Sequence, residues 1–127
     1  MNINYLTGEV IGAAIEVHKH LGPGLLESAY EECLCHELDL RKITYERQKP
    51  LRIRYKLVEL DCSYRLDVVV EGKIILELKS CESIEDIYKA QLLTYLRLSG
   101  VKLGLILNFN VPVLKDGVMR VVNNLEE

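Results

Sequence analysis

The sequence predicts an α/β layer fold, a mixed β-sheet of about five strands flanked by three α-helices. Three observations carry this. Apolar residues recur at helical spacing in three segments, strand-like apolar runs lie between the second and third, and glycine or proline marks the boundaries. A chain of 127 residues is expected to form one domain over residues 1–127, burying roughly two thirds of its unfolded surface.

The first helix is expected from about Tyr5 to His20, with Leu6, Val10, Ile11, Ala14, Ile15 and Val17 on its apolar stripe. Gly22-Pro23-Gly24 ends it. A second helix runs from about Leu25 to Leu40, with Leu26, Ala29, Tyr30, Cys33, Leu34 and Leu38 as its buried stripe. Ile43 to Gln48 and Leu51 to Leu57 read as two strands separated by Pro50, which removes a ladder donor. Tyr64 to Val70 and Ile74 to Lys79 complete an antiparallel meander. The third helix spans about Ile84 to Leu98 and stops at Gly100, well placed as a C-cap. A buried strand from Lys102 to Asn108 and a short one near Val118 to Val122 close the sheet.

Composition bounds the function. No charged-then-apolar leader and no apolar run near the roughly 18 residues of a membrane span are present, so a cytoplasmic protein without membrane contact is expected. Cys33 and Cys35 point to different faces of a helix, while Cys62 and Cys81 stand alone; they read as reduced thiols rather than metal or cluster ligands. His18 falls on the first helix's stripe as a core or boundary histidine, and His20 and His36 are expected at the surface. Gly22-Pro23-Gly24 lacks the lysine and hydroxyl residue of a phosphate-binding loop.

The net charge of −3 argues against strong nonspecific nucleic-acid binding, which depends on neutralising phosphates and releasing counterions. The basic residues are nevertheless clustered. Arg41, Lys42, Arg47, Lys49, Arg52, Arg54 and Lys56 face the single acid Glu46 between positions 41 and 56. Two readings are open: a phosphate-facing ribbon, with Arg47, Lys49, Arg52 and Arg54 as nucleic-acid contacts, or a solvated strand pair whose charges protect an edge.

The chemistry points elsewhere, to Tyr64-Arg65-Leu66-Asp67 and Ile75-Leu76-Glu77-Leu78-Lys79. Asp67, Glu77 and Lys79 are charges set inside apolar strand-like runs, where a carboxylate without partners costs several kcal/mol. Such groups pair, bind metal or react; a wet face on an edge hairpin is the plain alternative. Register decides between them. A two-residue turn Glu71-Gly72 would put Asp67 opposite Leu76, on the wrong face from Glu77, whereas a three-residue loop Glu71-Gly72-Lys73 would put Asp67 opposite Glu77 and near Lys79. The longer loop is therefore predicted, with Gly72 or Lys73 at positive φ. On the third helix, Ile84, Tyr88, Gln91, Tyr95 and Leu98 form a stripe that would bury Gln91. Glu27, in the first turn of the second helix, reads as an acid favoured by the helix dipole or as a carboxylate reaching over the sheet towards Asp67 and Glu77.

Gly24-Leu25-Leu26-Glu27-Ser28-Ala29-Tyr30 resembles the signature of the GxxExxY protein family, a branch of the PD-(D/E)xK nuclease superfamily. The resemblance continues through Tyr64-Arg65-Leu66-Asp67, Glu77-Leu78-Lys79, Ala90-Gln91-Leu92-Leu93-Thr94-Tyr95 and Leu107-Asn108-Phe109-Asn110-Val111-Pro112, covering nearly the whole chain. Leu66 stands where the superfamily's name has proline. The resemblance implies a restriction-endonuclease-like core and a Mg²⁺-dependent nuclease, with Mn²⁺ as a substitute, hydrolysing phosphodiester bonds of DNA or RNA. In that reading Asp67, Glu77 and Glu27 hold metal, the Leu78 carbonyl adds an oxygen, and Lys79, Glu27 and Gln91 serve catalysis. Nucleic-acid binding is expected to be weak and salt-sensitive, with a homodimer or protein partner supplying substrate-selecting surface. The alternative is a catalytically inactive nuclease-fold module for nucleic-acid or protein binding, in which Lys79 neutralises Asp67 and Glu77 as an internal ion-pair network.

Overall fold

A computed structural model of the chain describes residues 2–125, with the side chains of all but residues 61–63. The elements run α1 (Ile3–Leu21), α2 (Glu27–Leu40), β1 (Tyr45–Tyr55), β2 (Val58–Val70), β3 (Ile74–Lys79), α3 (Asp86–Ser99), β4 (Leu103–Asn108), a 3₁₀ turn (Leu114–Gly117) and β5 (Val118–Val122). The five strands lie in the order β1-β2-β3-β4-β5. Only β3 and β4 pair in parallel, joined by α3; the other neighbours are antiparallel. The expected mixed α/β layer architecture is the one observed.

Asn2 starts α1 by accepting hydrogen bonds from the Asn4 and Tyr5 amides at 2.7 and 3.3 Å. Gly100, at φ 78°, ends α3 in the left-handed conformation that its position in the sequence implies. The helices divide the sheet's apolar side chains into two cores. Val68, Val70, Ile74, Leu76, Leu78, Leu103, Leu105 and Leu107 pack under α1 and α2. Leu51, Leu66, Val69, Ile75 and Ile106 pack under Leu92 and Leu96 of α3. Odd positions of β3 therefore face α3, and Glu77 and Lys79 are odd positions.

Several sequence expectations need correction. Pro50 does not divide two strands: β1 runs through it and forms a long hairpin with β2, whose two-residue turn has Lys56 at φ 56°. Proline is tolerated because β1 is an edge strand, where one missing donor faces no partner. Leu26 is 77% exposed and Cys33 is exposed, while Glu31 and Cys35 take places on the buried stripe of α2. The stripe is rotated by about one residue because Glu31 finds strong partners there. Cys35 is an inert core thiol, pushed up to about 12 by burial. The side chain of Cys62 lies outside the described residues.

On α3 the buried positions are Leu92 and Leu96, with Tyr88 and Tyr95 partly buried and Gln91 and Leu98 exposed. Gln91 is thus not the buried stripe residue that its spacing implied. The cause is Gly104 of β4: a Cβ there would meet Leu92 at 2.8 Å, so the missing side chain receives Leu92 and sets the rotation of the helix.

Candidate active site

β2 and β3 turn through the three-residue loop Glu71-Gly72-Lys73, pairing Val70 with Ile74, Val69 with Ile75 and Val68 with Leu76. The longer loop is the predicted one. The positive φ angles fall on Glu71 (53°) and Gly72 (66°), not on Lys73, and the Lys73 amide donates to the Val70 carbonyl at 2.9 Å. Past Val68 and Leu76 the β2–β3 ladder stops, whereas β3 continues beside β4 to the pair Lys79 and Asn108. The strands fork there, and Asp67 fills the fork. Its Oδ2 accepts the Leu78 amide hydrogen bond at 2.8 Å, replacing a ladder partner with a carboxylate.

The side chain of Asp67 reaches this position through a kink shared by two strands. Leu66 belongs to the α3 core, but Val68 belongs to the opposite one, so the alternation of β2 breaks at Asp67. It breaks in β1 as well. Tyr45 packs on the α1/α2 core and Leu51 on the α3 core, although both are odd positions of one strand, and between them Gln48 adopts φ 50°. The pairing itself is continuous, Arg47 with Val68 and Lys49 with Leu66. A coordinated kink turns the faces over without shifting register.

Two carboxyls share the fork, those of Asp67 and Glu77. Glu77 is 8% exposed, and its Oε1 is buried without a hydrogen-bond partner. Burial, reinforced by the charge of Asp67 and opposed by Lys79, pushes the Glu77 carboxyl up to about 9. Burial also raises Asp67, while the Leu78 amide and a hydrogen bond from Glu77 hold it down. Glu77 therefore keeps the pair's proton. Lys79 Nζ lies 4.5 Å from the centroid of the Tyr88 ring, and among the described residues it forms no salt bridge with either carboxylate. Burial, reinforced by the charges of Glu77, Tyr64 and Asp67, raises the Tyr95 hydroxyl. Gln91 lies on the exposed face of α3, about one turn before Tyr95.

Glu27 approaches from the other side. Tyr30 donates to the Gly22 carbonyl at 2.6 Å, accepts the Leu25 amide hydrogen bond at 3.1 Å and stacks on Phe109 at 4.4 Å. Ser80 Oγ donates to the Leu25 carbonyl at 2.7 Å, while Asn108 ties down Cys81 through both its amide and its carbonyl. His18 completes this seam, bonded to the Val111 carbonyl at 2.8 Å and stacked on Phe109. The start of α2 is thereby fixed against the end of β3. Glu27 lines an open pocket of about 540 Å³ with Gly24, Ser28, Ser80 and Asn110. Its charge reaches Asp67, but among the described residues no three His, Cys, Asp or Glu side chains converge closely enough to form a metal cluster. Asp67 and Glu77 come together; Glu27 stands apart from them.

The basic segment is largely neutralised within the fold. Arg47 donates to Glu31 at 2.8 and 3.0 Å and to Glu32 at 3.1 Å, Lys49 pairs with Glu46 at 3.2 Å, and Arg52 pairs with Glu59 at 3.1 Å. Arg54 is exposed, beside Glu59 in the strand register. Sequence reasoning missed Glu31, which also accepts from Gln48 Nε2 at 2.8 Å and whose charge is felt at Asp67. The signal was available: Glu31, Leu34, Cys35 and Leu38 recur at helical spacing, but a run of acids and cysteines hides the stripe.

Neither the curated proteins nor the solved structures contain a match to the chain. A family model does match, over residues 4–121, from the second residue of α1 into β5; it describes the PD-(D/E)XK nuclease superfamily. The forked β2–β3 pair with its acid, acid and lysine lies inside that span, on a restriction-endonuclease-like core, and the chain belongs to the PD-(D/E)XK nuclease superfamily.

Proposed function

We propose that this protein is a divalent-metal-dependent nuclease of the GxxExxY branch, hydrolysing phosphodiester bonds of nucleic acid with Mg²⁺, or Mn²⁺ in its place. The observation that supports it most is the partnerless Oε1 of buried Glu77 beside Asp67. An acceptor left bare in that position fits a hard cation, which takes carboxylate oxygens readily. Asp67 and Glu77 would hold the ion, with Glu27 contributing its charge at longer range. When bound, such an ion polarises the phosphoryl oxygen and makes water more acidic.

The remaining chemistry belongs to the chain. With a cation present Glu77 gives up its proton, so both carboxylates are available as acceptors for ion and water. Lys79, one full strand repeat beyond Glu77 on the same face, directs its ammonium to the negative charge that accumulates on the phosphate in the transition state and orients the attacking water. Tyr88 holds that ammonium away from a collapsing salt bridge. Gln91 and Tyr95 form a polar lip that positions the strand being cut.

Lys79→Ala is expected to retain Mg²⁺ binding while cleavage falls by a factor on the order of 10²–10⁴, as for loss of a positioned proton-handling group. Calorimetry and cleavage of labelled DNA and RNA, measured on the same preparation, check it. Full activity in that variant would remove Lys79 from the mechanism. The reading of the fold as an inactive module held by an ion-pair network is disfavoured by the position of Lys79 Nζ over the Tyr88 ring, with no salt bridge to Asp67 or Glu77 among the described residues.

A further inference from the structure

Three of the chain's seven tyrosines gather along the α3 side of the fork. Tyr88 lies beneath Lys79, and Tyr95, two turns further along the helix, senses Glu77 and Asp67. Tyr95 meets Tyr64 of β2 with ring centroids 6.4 Å apart and planes inclined by 58°. Tyr64 precedes Asp67 by three strand positions, about 10 Å along the chain. It is 45% exposed, so Tyr64 keeps much of its surface in solvent while its ring meets Tyr95.

Two kinds of strand could approach such a site. Duplexes are gripped mainly through phosphates, which requires free cations. This molecule carries a net charge of −3, and Arg47, Lys49 and Arg52 already face Glu31, Glu32, Glu46 and Glu59. Unpaired strands also offer base faces, whose stacking on aromatic rings adds affinity beyond that of phosphate contacts. We infer, resting on the nuclease reading above, that the substrate is a single-stranded polynucleotide with one base stacked on Tyr64 against Tyr95, placing a neighbouring phosphodiester at Asp67, Glu77 and Lys79. Tyr64 is a specificity residue in this arrangement, not a catalytic one.

The sequence contains no tryptophan, so Tyr64→Trp introduces a single fluorescent reporter at the stacking position. In EDTA, oligothymidylate and oligouridylate are expected to quench it, and a DNA duplex of equal length to leave it unchanged. By anisotropy, Tyr64→Leu should weaken oligothymidylate binding about tenfold or more, and Tyr64→Phe should retain it. Circular dichroism verifies that both variants fold. Equal affinity for duplex and single strand, or unchanged binding in a folded Tyr64→Leu protein, overturns the inference. Adding Mg²⁺ separates it from the reading beneath it. Single strand bound through Tyr64 but never cut would refute the nuclease and leave the stacking site standing, whereas duplex cut irrespective of Tyr64 would refute the stacking site alone.

Discussion

A carboxyl oxygen sealed from water without a donor is costly, and Glu77 Oε1 is in that state because its neighbours are apolar strands and another acid. The proton that Glu77 retains has a consequence for stability. Its folded value of about 9 exceeds the ordinary 4.5, so the folded chain binds a proton that the unfolded chain releases. The metal-free protein should therefore be most stable below about 4.5 as far as Glu77 is concerned and lose that contribution as pH rises towards about 9, with a slope of at most about 1.4 kcal/mol per pH unit. Glu77→Gln should flatten that slope; melting curves in EDTA across the interval measure it, and identical slopes in the two proteins would contradict the assignment. Asp67, Glu77 and Lys79 could be read from sequence because charge inside an apolar strand run is conspicuous. Gln91 was misplaced because helix spacing fixes neighbours but not which face a glycine on another strand will accept, and Glu31 was overlooked because a run of acids and cysteines hides the stripe it belongs to.

At the scale of elements, the hairpin loop was legible because only one loop length brings Asp67 towards Glu77, and the structure adopts that length. The continuous β1 was not legible. Proline marks a strand boundary in most contexts, and edge position, which excuses Pro50, is a property of the whole sheet. The rotation of α3 rests on the notch at Gly104, which also carries Tyr88 and Tyr95 to the fork. Gly104→Ala is expected to destabilise the protein by about 1–3 kcal/mol through overpacking against Leu92. Combining it with Leu92→Ala should cost less than the sum of the single changes; additive losses in denaturant melts would mean that the two do not share the contact.

Across the whole molecule, the distribution of charge separates two arginines that look alike in sequence. Arg47 holds the largely buried Glu31, so Arg47→Ala should cost about 1–3 kcal/mol of stability by stranding that acid. Arg54→Glu should leave the melting temperature nearly unchanged and instead weaken nucleic-acid binding, lowering its salt dependence by about one unit of slope if Arg54 contacts a phosphate. Unfolding curves and binding isotherms over a salt series distinguish these outcomes. No helix among the described residues is long and apolar enough to cross a membrane. The central claim is that Asp67 and Glu77 form a cation site at the fork, and calorimetric titration of Mg²⁺ and Mn²⁺ into the wild type and an Asp67→Ala/Glu77→Ala variant tests it most directly. Saturable binding by the wild type, absent from a folded double variant, is the expected result; a wild type that binds neither ion, or a variant that binds both as well as the wild type, would contradict it.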